Sequence, residues 1–285
     1  MFSFSVEALA AVGETGESSE PSGPSTRGIE SLDDVVFALF LECGDEAVAG
    51  ASLAEATLTQ LIKACQPSPS MAHVELFLAD GKGDPHFATY IGRTAGWGFS
   101  FGDDQGGFYT NTNAAMWRAV PISAKNAATK LRSELGWHVD TPYSLARYCC
   151  SVPPLRAVAG LLRDDVGAPA HCAALTARCL KRALGAEAPI AHSPPWYGPS
   201  TLLIELSDAK GDTAYEECDE ATSHSVETLL RGSTLAIEGM GAGEKRDALL
   251  HLSRRAVREA AVGDSVATKL AQKQLAHGLL RSTYG

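Results

Sequence analysis

A cysteine that does chemistry works as its thiolate, so it needs a setting that depresses its pKa and a base within reach. Of the seven cysteines in the chain, Cys172 has such a setting. The helix-excluding segment GAPA (167–170) precedes it, and the run CAALTARCLKRAL begins with it. This pattern predicts a helix from about His171 to Leu184, closed by Gly185, with Cys172 at its N-terminus. There the helix dipole and the unpaired backbone N–H groups favour an anion. The same N–H groups would stabilise the oxyanion of a tetrahedral intermediate. Cys179 lies two turns further along the same face, away from the terminus, where a core role suits it. The competing reading of Cys172 is the common fate of a free cysteine, a small buried hydrophobe.

The base must come from elsewhere in the chain. Among eight histidines, His73 opens the alternating run HVELFL. Alternation puts His73, Glu75 and Phe77 on one face of a strand and Val74, Leu76 and Leu78 on the other. His86 stands 13 residues later, at the start of the next apolar run and across the turn DGKGDP. Strand pairing is expected to bring His86 to His73, where it would orient and polarise the ring. The candidate set is therefore Cys172 as nucleophile, His73 as general base and His86 as the orienting residue. Its chemistry would be hydrolysis or transfer at an amide, peptide or ester carbonyl, with no cofactor and no metal.

The elements that must position these residues are legible in outline. Ser31-x-x-Asp34 before VVFALFL, and Ser52-x-x-Glu55 before LAEATLTQLIKAC, read as two capped helices, the second stopped by Pro67. Strands follow at 72–79, 86–92, 96–102 and 117–122. Ser123 reads as the N-cap of a helix ended by Gly136, and 143–163 as a helical stretch broken by proline. TLLIELSD (201–208) reads as a further strand, and 223–231, 244–261 and 265–281 as helices, the last two parted by Gly263 and Asp264. The fold class is α+β: a small antiparallel sheet against the Cys172 helix. The expected division is a flexible Gly/Ser/Pro/Glu-rich tail over 1–28, an N-terminal helical extension over 29–69, a core over 70–210 and a C-terminal helical extension over 211–285.

With these residues in order, the chain resembles the circularly permuted NlpC/papain-like superfamily, which includes lecithin–retinol acyltransferase-like proteins and bacterial and viral thiol hydrolases. The likeness spans roughly residues 70–207. It rests on His73 in a strand, a polar residue opening the next strand, and a helix-initial cysteine far downstream. The linking segment adds Trp117-x-x-Val120-Pro121, a helix ending in Leu135-Gly136, and Thr141-Pro142-Tyr143. The resemblance implies a permuted papain-like core and a Cys-His-His thiol hydrolase centre. Two features depart from it. Acyltransferase members usually carry Asn before the cysteine, where this chain has His171, and no hydrophobic anchor follows, which weighs against lipid acyl transfer.

Composition sets outer limits. The chain has 285 residues, 45% of them hydrophobic, enough for a sizeable core. A net charge of −10 argues against sequence-independent nucleic-acid binding, which needs a basic face. The charge is uneven: from Gly241 onward there are eight Lys/Arg against four Asp/Glu, leaving 16 against 30 in the body, so the tail carries +4 and the body −14. No C-x-x-C pair, secretory leader or 18-residue apolar run is seen, so an intracellular setting without a transmembrane segment is expected. Asp103 and Asp104 in a Gly-rich loop read as solvated. Trp97, Phe99, Phe101, Phe108 and Tyr109 read as core or cleft rim, and Trp196 and Tyr197 as a surface contact. Arg254, Arg255 and Arg258 lie opposite Leu249, Leu252 and Ala256, a pattern expected to pack on the N-terminal helices. A second reading of function stays open: a structural component of a virion or other large assembly, contacting protein partners through residues 1–28 and 241–285.

Overall fold

The computed structural model describes residues 29–42, 57, 60, 71–79, 85–93, 96–102, 117–151, 155, 161–162, 164–207, 241–262 and 265–284. The tail over 1–28, the expected helix at 223–231, Asp103 and Asp104, Phe108 and Tyr109 fall outside them. Of the expected helix after Ser52, only Thr57 and Gln60 are described, and both are helical.

Five strands form one antiparallel sheet: β1 (Val35–Glu42), β2 (Met71–Ala79), β3 (Pro85–Arg93), β4 (Gly96–Gly102) and β5 (Trp117–Ser123), in the order β4-β3-β2-β1-β5. The helices are α1 (Ala127–Gly136), α2 (Leu145–Cys150), α3 (Cys172–Leu184), α4 (Pro199–Ser207), α5 (Ala242–Val262) and α6 (Ser265–Tyr284). The α+β class and the strands expected at 72–79, 86–92, 96–102 and 117–122 are therefore present. Among the described residues, no helix is long and apolar enough to cross a membrane.

The largest correction falls on VVFALFL. It is not a helix but β1, the inner strand between β2 and β5. Every residue from Val35 to Leu41 is buried, because the sheet is covered on both faces. Val36, Ala38 and Phe40 enter one core with α1, α3 and α4. Val35, Phe37, Leu39 and Leu41 enter a second core with α5 and α6. A strand buried on both sides shows no alternation, and a short unbroken apolar run has no period that separates strand from helix. The signal Ser31-x-x-Asp34 opens only a 3-10 turn, Leu32–Asp34, with no side-chain capping bond; the Ser31 hydroxyl donates to Asp34 Oδ2 at 3.1 Å. Its acids turn to α1 instead: Asp34 Oδ1 accepts from the Asn126 backbone N–H at 3.0 Å, and Asp33 Oδ1 from the Thr129 hydroxyl at 2.8 Å. Carboxylates at a helix start complement its dipole. The N-cap of α1 is Asn126, in the left-handed region at φ 53°, not Ser123.

The second correction is α4. TLLIELS was expected as a strand and is a helix, opened by Pro199 and anchored by the Thr201 hydroxyl on the Gly198 carbonyl at 2.9 Å. The C-terminal pair was expected on N-terminal helices; α5 and α6 instead cover the second sheet face, with Leu249, Ala256, Leu275 and Leu279 buried there. The stretch assigned to an N-terminal extension thus contributes the strand that both cores share.

Candidate active site

The site begins with the loop that delivers Cys172. Tyr143 and Ala170 form a parallel bridge, with the Ser144 N–H donating to the Ala170 carbonyl at 2.8 Å and the Ala170 N–H to the Pro142 carbonyl at 3.1 Å. Gly167 turns the chain at φ 77°, a conformation that favours glycine. From the second turn of α3, the fully buried Arg178 reaches back: Nε donates to Asp164 Oδ1 at 2.6 Å and Nη1 to the Ala168 carbonyl at 3.0 Å. Loop and helix are thereby fastened together, and α3 starts at Cys172 with His171 extended before it. The first intrahelical bond is from the Leu175 N–H to the His171 carbonyl, so the N–H groups of Cys172, Ala173 and Ala174 have no intrahelical acceptor.

His73 arrives from the sheet. The β1–β2 register shifts where Leu41 faces His73 and Glu42 faces Met71, an irregularity of the kind that re-aims side chains at functional positions. The ring Nε2 lies 3.1 Å from Glu75 Oε1 and 3.4 Å from Thr89 Oγ1, and the Thr89 hydroxyl donates to the same carboxylate oxygen at 2.6 Å. The ring also lies within electrostatic reach of Cys172, and each favours the charged form of the other. Glu75 is fully buried, and Cys172 is only 4% exposed.

Electrostatics follow from this enclosure. Burial alone would push the Cys172 thiol up, but the His73 imidazolium, with His171 beside it, brings it down to about 6. Burial likewise opposes charge on His73, yet the thiolate, then Glu75, raise it to about 10. The favoured form near neutral pH is a thiolate–imidazolium pair. Cys179, in the same helix, has no such partner; burial, with Glu134 nearby, pushes its thiol up. Position within one helix separates the two cysteines.

His86 does not join the pair. It stands opposite Leu78, not His73, and five strand residues are about 16 Å. Its ring lies against Phe101 instead, with centroids 6.3 Å apart. The place expected for His86 is held by Glu75, with Thr89 from the neighbouring strand. The alternation of HVELFL already put Glu75 on the face of His73; its role was missed because register, not order along the chain, decides which β3 residue is near. His171 is fully buried and packs at right angles to Tyr148 with ring centroids 5.3 Å apart. Tyr197 was expected at the surface and is also buried, its hydroxyl shared between the His192 N–H and Glu205.

Among the described residues, no group of three or more His, Cys, Asp or Glu side chains is placed to hold a metal ion. Compared with models of protein families, with curated proteins and with solved structures, the chain gave no match.

Proposed function

We propose that the protein is a thiol hydrolase or acyl-transfer enzyme of permuted papain-like type, acting on an amide, peptide or ester carbonyl through Cys172 and His73. The carrying observation is the meeting of a strand histidine, held by a buried carboxylate, with a cysteine at a helix N-terminus. The order of the parts, histidine strand first and cysteine helix last, supports the permuted fold.

In the proposed cycle Cys172 Sγ attacks the carbonyl carbon, and the carbonyl π pair moves onto oxygen. The oxyanion is met by the N–H groups that open α3. Its collapse expels the amine or alcohol, which takes the proton of the His73 imidazolium and leaves an acyl-thioester. Water then gives a proton to His73 as its oxygen attacks the thioester, and the thiolate departs. Glu75 touches no reacting atom; it is a positioning residue for His73.

Iodoacetamide labelling across pH tests this. Cys172 is expected to react at neutral pH faster than a free thiol, and His73→Ala to abolish that advantage. A Cys172 no faster than a free thiol, and indifferent to His73→Ala, would sink the reading.

The near-complete burial of Cys172 favours a second reading, an assembly component that keeps this fold without turnover. The opposite charges of body and tail suit contacts between copies. An unreactive Cys172 in a chain that self-associates in a salt-dependent way is the outcome expected of it.

A further inference from the structure

His171 is a buried polar side chain without an explained role. Its ring is fully enclosed, and neither Nδ1 nor Nε2 has a hydrogen-bond partner. It is the N-cap residue of α3, yet its side chain makes no capping bond. Tyr148 packs edge-on against the ring and supplies no acceptor there. A buried imidazole in this state is costly, and such groups persist where a ligand or a reaction intermediate satisfies them. The ring stands close enough to Cys172 to help lower its pKa, although neither nitrogen meets hydrogen-bond geometry with Sγ.

We infer that the His171 imidazole N–H is a side-chain donor to the oxyanion formed on Cys172, completing a hole whose other donors are the backbone N–H groups opening α3. This rests on the thiol-hydrolase reading and adds a catalytic residue to it. The oxyanion is two bonds from Sγ, so a donor held beside the sulfur can reach it. In the free enzyme neither ring nitrogen has a partner in hydrogen-bond geometry and the ring acts on the Cys172 thiolate only at longer range; in the tetrahedral adduct the negative charge sits on oxygen and can accept the N–H. A contact that closes to full hydrogen-bond geometry only then stabilises the transition state more than the ground state. His171 transfers no proton in this role. The electron pair moves from the carbonyl bond to oxygen on attack and returns when the leaving group departs with the proton of His73.

Two probes separate this role from thiol activation. Iodoacetamide alkylates sulfur at a saturated carbon, and no oxyanion forms. 4-Nitrophenyl acetate transfers its acetyl group to the same sulfur through an oxyanion and releases 4-nitrophenolate. Both rates are measured for wild type, His171→Ala and His171→Gln above the thiol's titration, with Cys172→Ala as the blank. The expected result for His171→Ala is alkylation close to wild type and acylation reduced roughly 100- to 1,000-fold. His171→Gln, which keeps an N–H donor, is expected to recover part of the loss. Alkylation of Cys172 that still spares Cys179 shows that the variant folds; if His171→Ala does not fold, His171→Gln carries the comparison against wild type, with acylation retained more fully than in His171→Phe. Acylation that falls only in step with alkylation, or not at all, overturns the role of His171 and leaves the Cys172–His73 reading standing. A wild-type Cys172 that does not outpace a free thiol overturns both.

Discussion

Glu75 Oε1 lies 3.1 Å from His73 Nε2, and the same oxygen accepts the Thr89 hydroxyl at 2.6 Å. One buried carboxylate oxygen thereby holds both the His73 ring and the Thr89 hydroxyl. The carboxylate also supports charge on the ring, because an opposite charge at this range favours the protonated imidazole. Glu75→Gln keeps the polar contact and removes the charge. It is expected to lower the alkaline limb of the turnover profile by roughly one pH unit or more. A purely structural role for Glu75 would leave that limb in place, so the pH profile is the deciding measurement.

For the proposed thiol hydrolase, the pair sets a pH window for turnover. The thiol is depressed to about 6, so thiolate accumulates as pH rises through that value. His73 is raised to about 10, so the proton needed by the leaving group is lost only as pH rises through that value. A broad bell with limbs near these two values is expected for ester hydrolysis. Iodoacetamide alkylation needs only the thiolate and should show the acid limb alone. A single limb near pH 8–9 in both assays would contradict the pair.

The two buried cysteines of α3 should part company on labelling. Burial with no cationic imidazole beside it pushes the Cys179 thiol up, while His73 holds that of Cys172 down. Limited alkylation of the native protein near pH 7, read by peptide mass spectrometry, should modify Cys172 and spare Cys179. Equal modification of both would mean that unfolding, not activation, governs access.

Asp164 and Arg178 clasp the loop that delivers Cys172. Asp164→Ala leaves a fully buried guanidinium without its carboxylate, at a cost of about 3–5 kcal/mol. Thermal unfolding should report that loss. Amide exchange at Ala168 and Ala170 should rise if the loop is released, and unchanged protection there would refute the clasp.

β1 lies between two cores. Leu39 and Phe40 are neighbours in sequence but belong to opposite sheet faces. Leu39→Ala is expected to cost about 2–5 kcal/mol and Phe40→Ala about 3–5 kcal/mol in denaturant unfolding. One of the two near zero would mean that one face of the strand is not packed.

Sequence alone determined what depends on local order. Cys172 could be placed at a helix start because GAPA excludes a helix and CAALTARCL forms one. His73 could be placed at a strand start because HVELFL alternates. Tertiary structure decided whatever depends on neighbours remote in the chain. VVFALFL is a strand because β2 and β5 flank it and helices cover both faces; an apolar run of that length carries no period to say so. TLLIELS is a helix because it packs against the core from Gly198 onward, which overrides its strand-like composition. The third member of the site is Glu75 and not His86 because the β2–β3 register puts Leu78 opposite His86, and register is a property of two paired strands. The enclosure of His171 arises in the same way, from the packing of Tyr148, 23 residues earlier in the chain, against its ring.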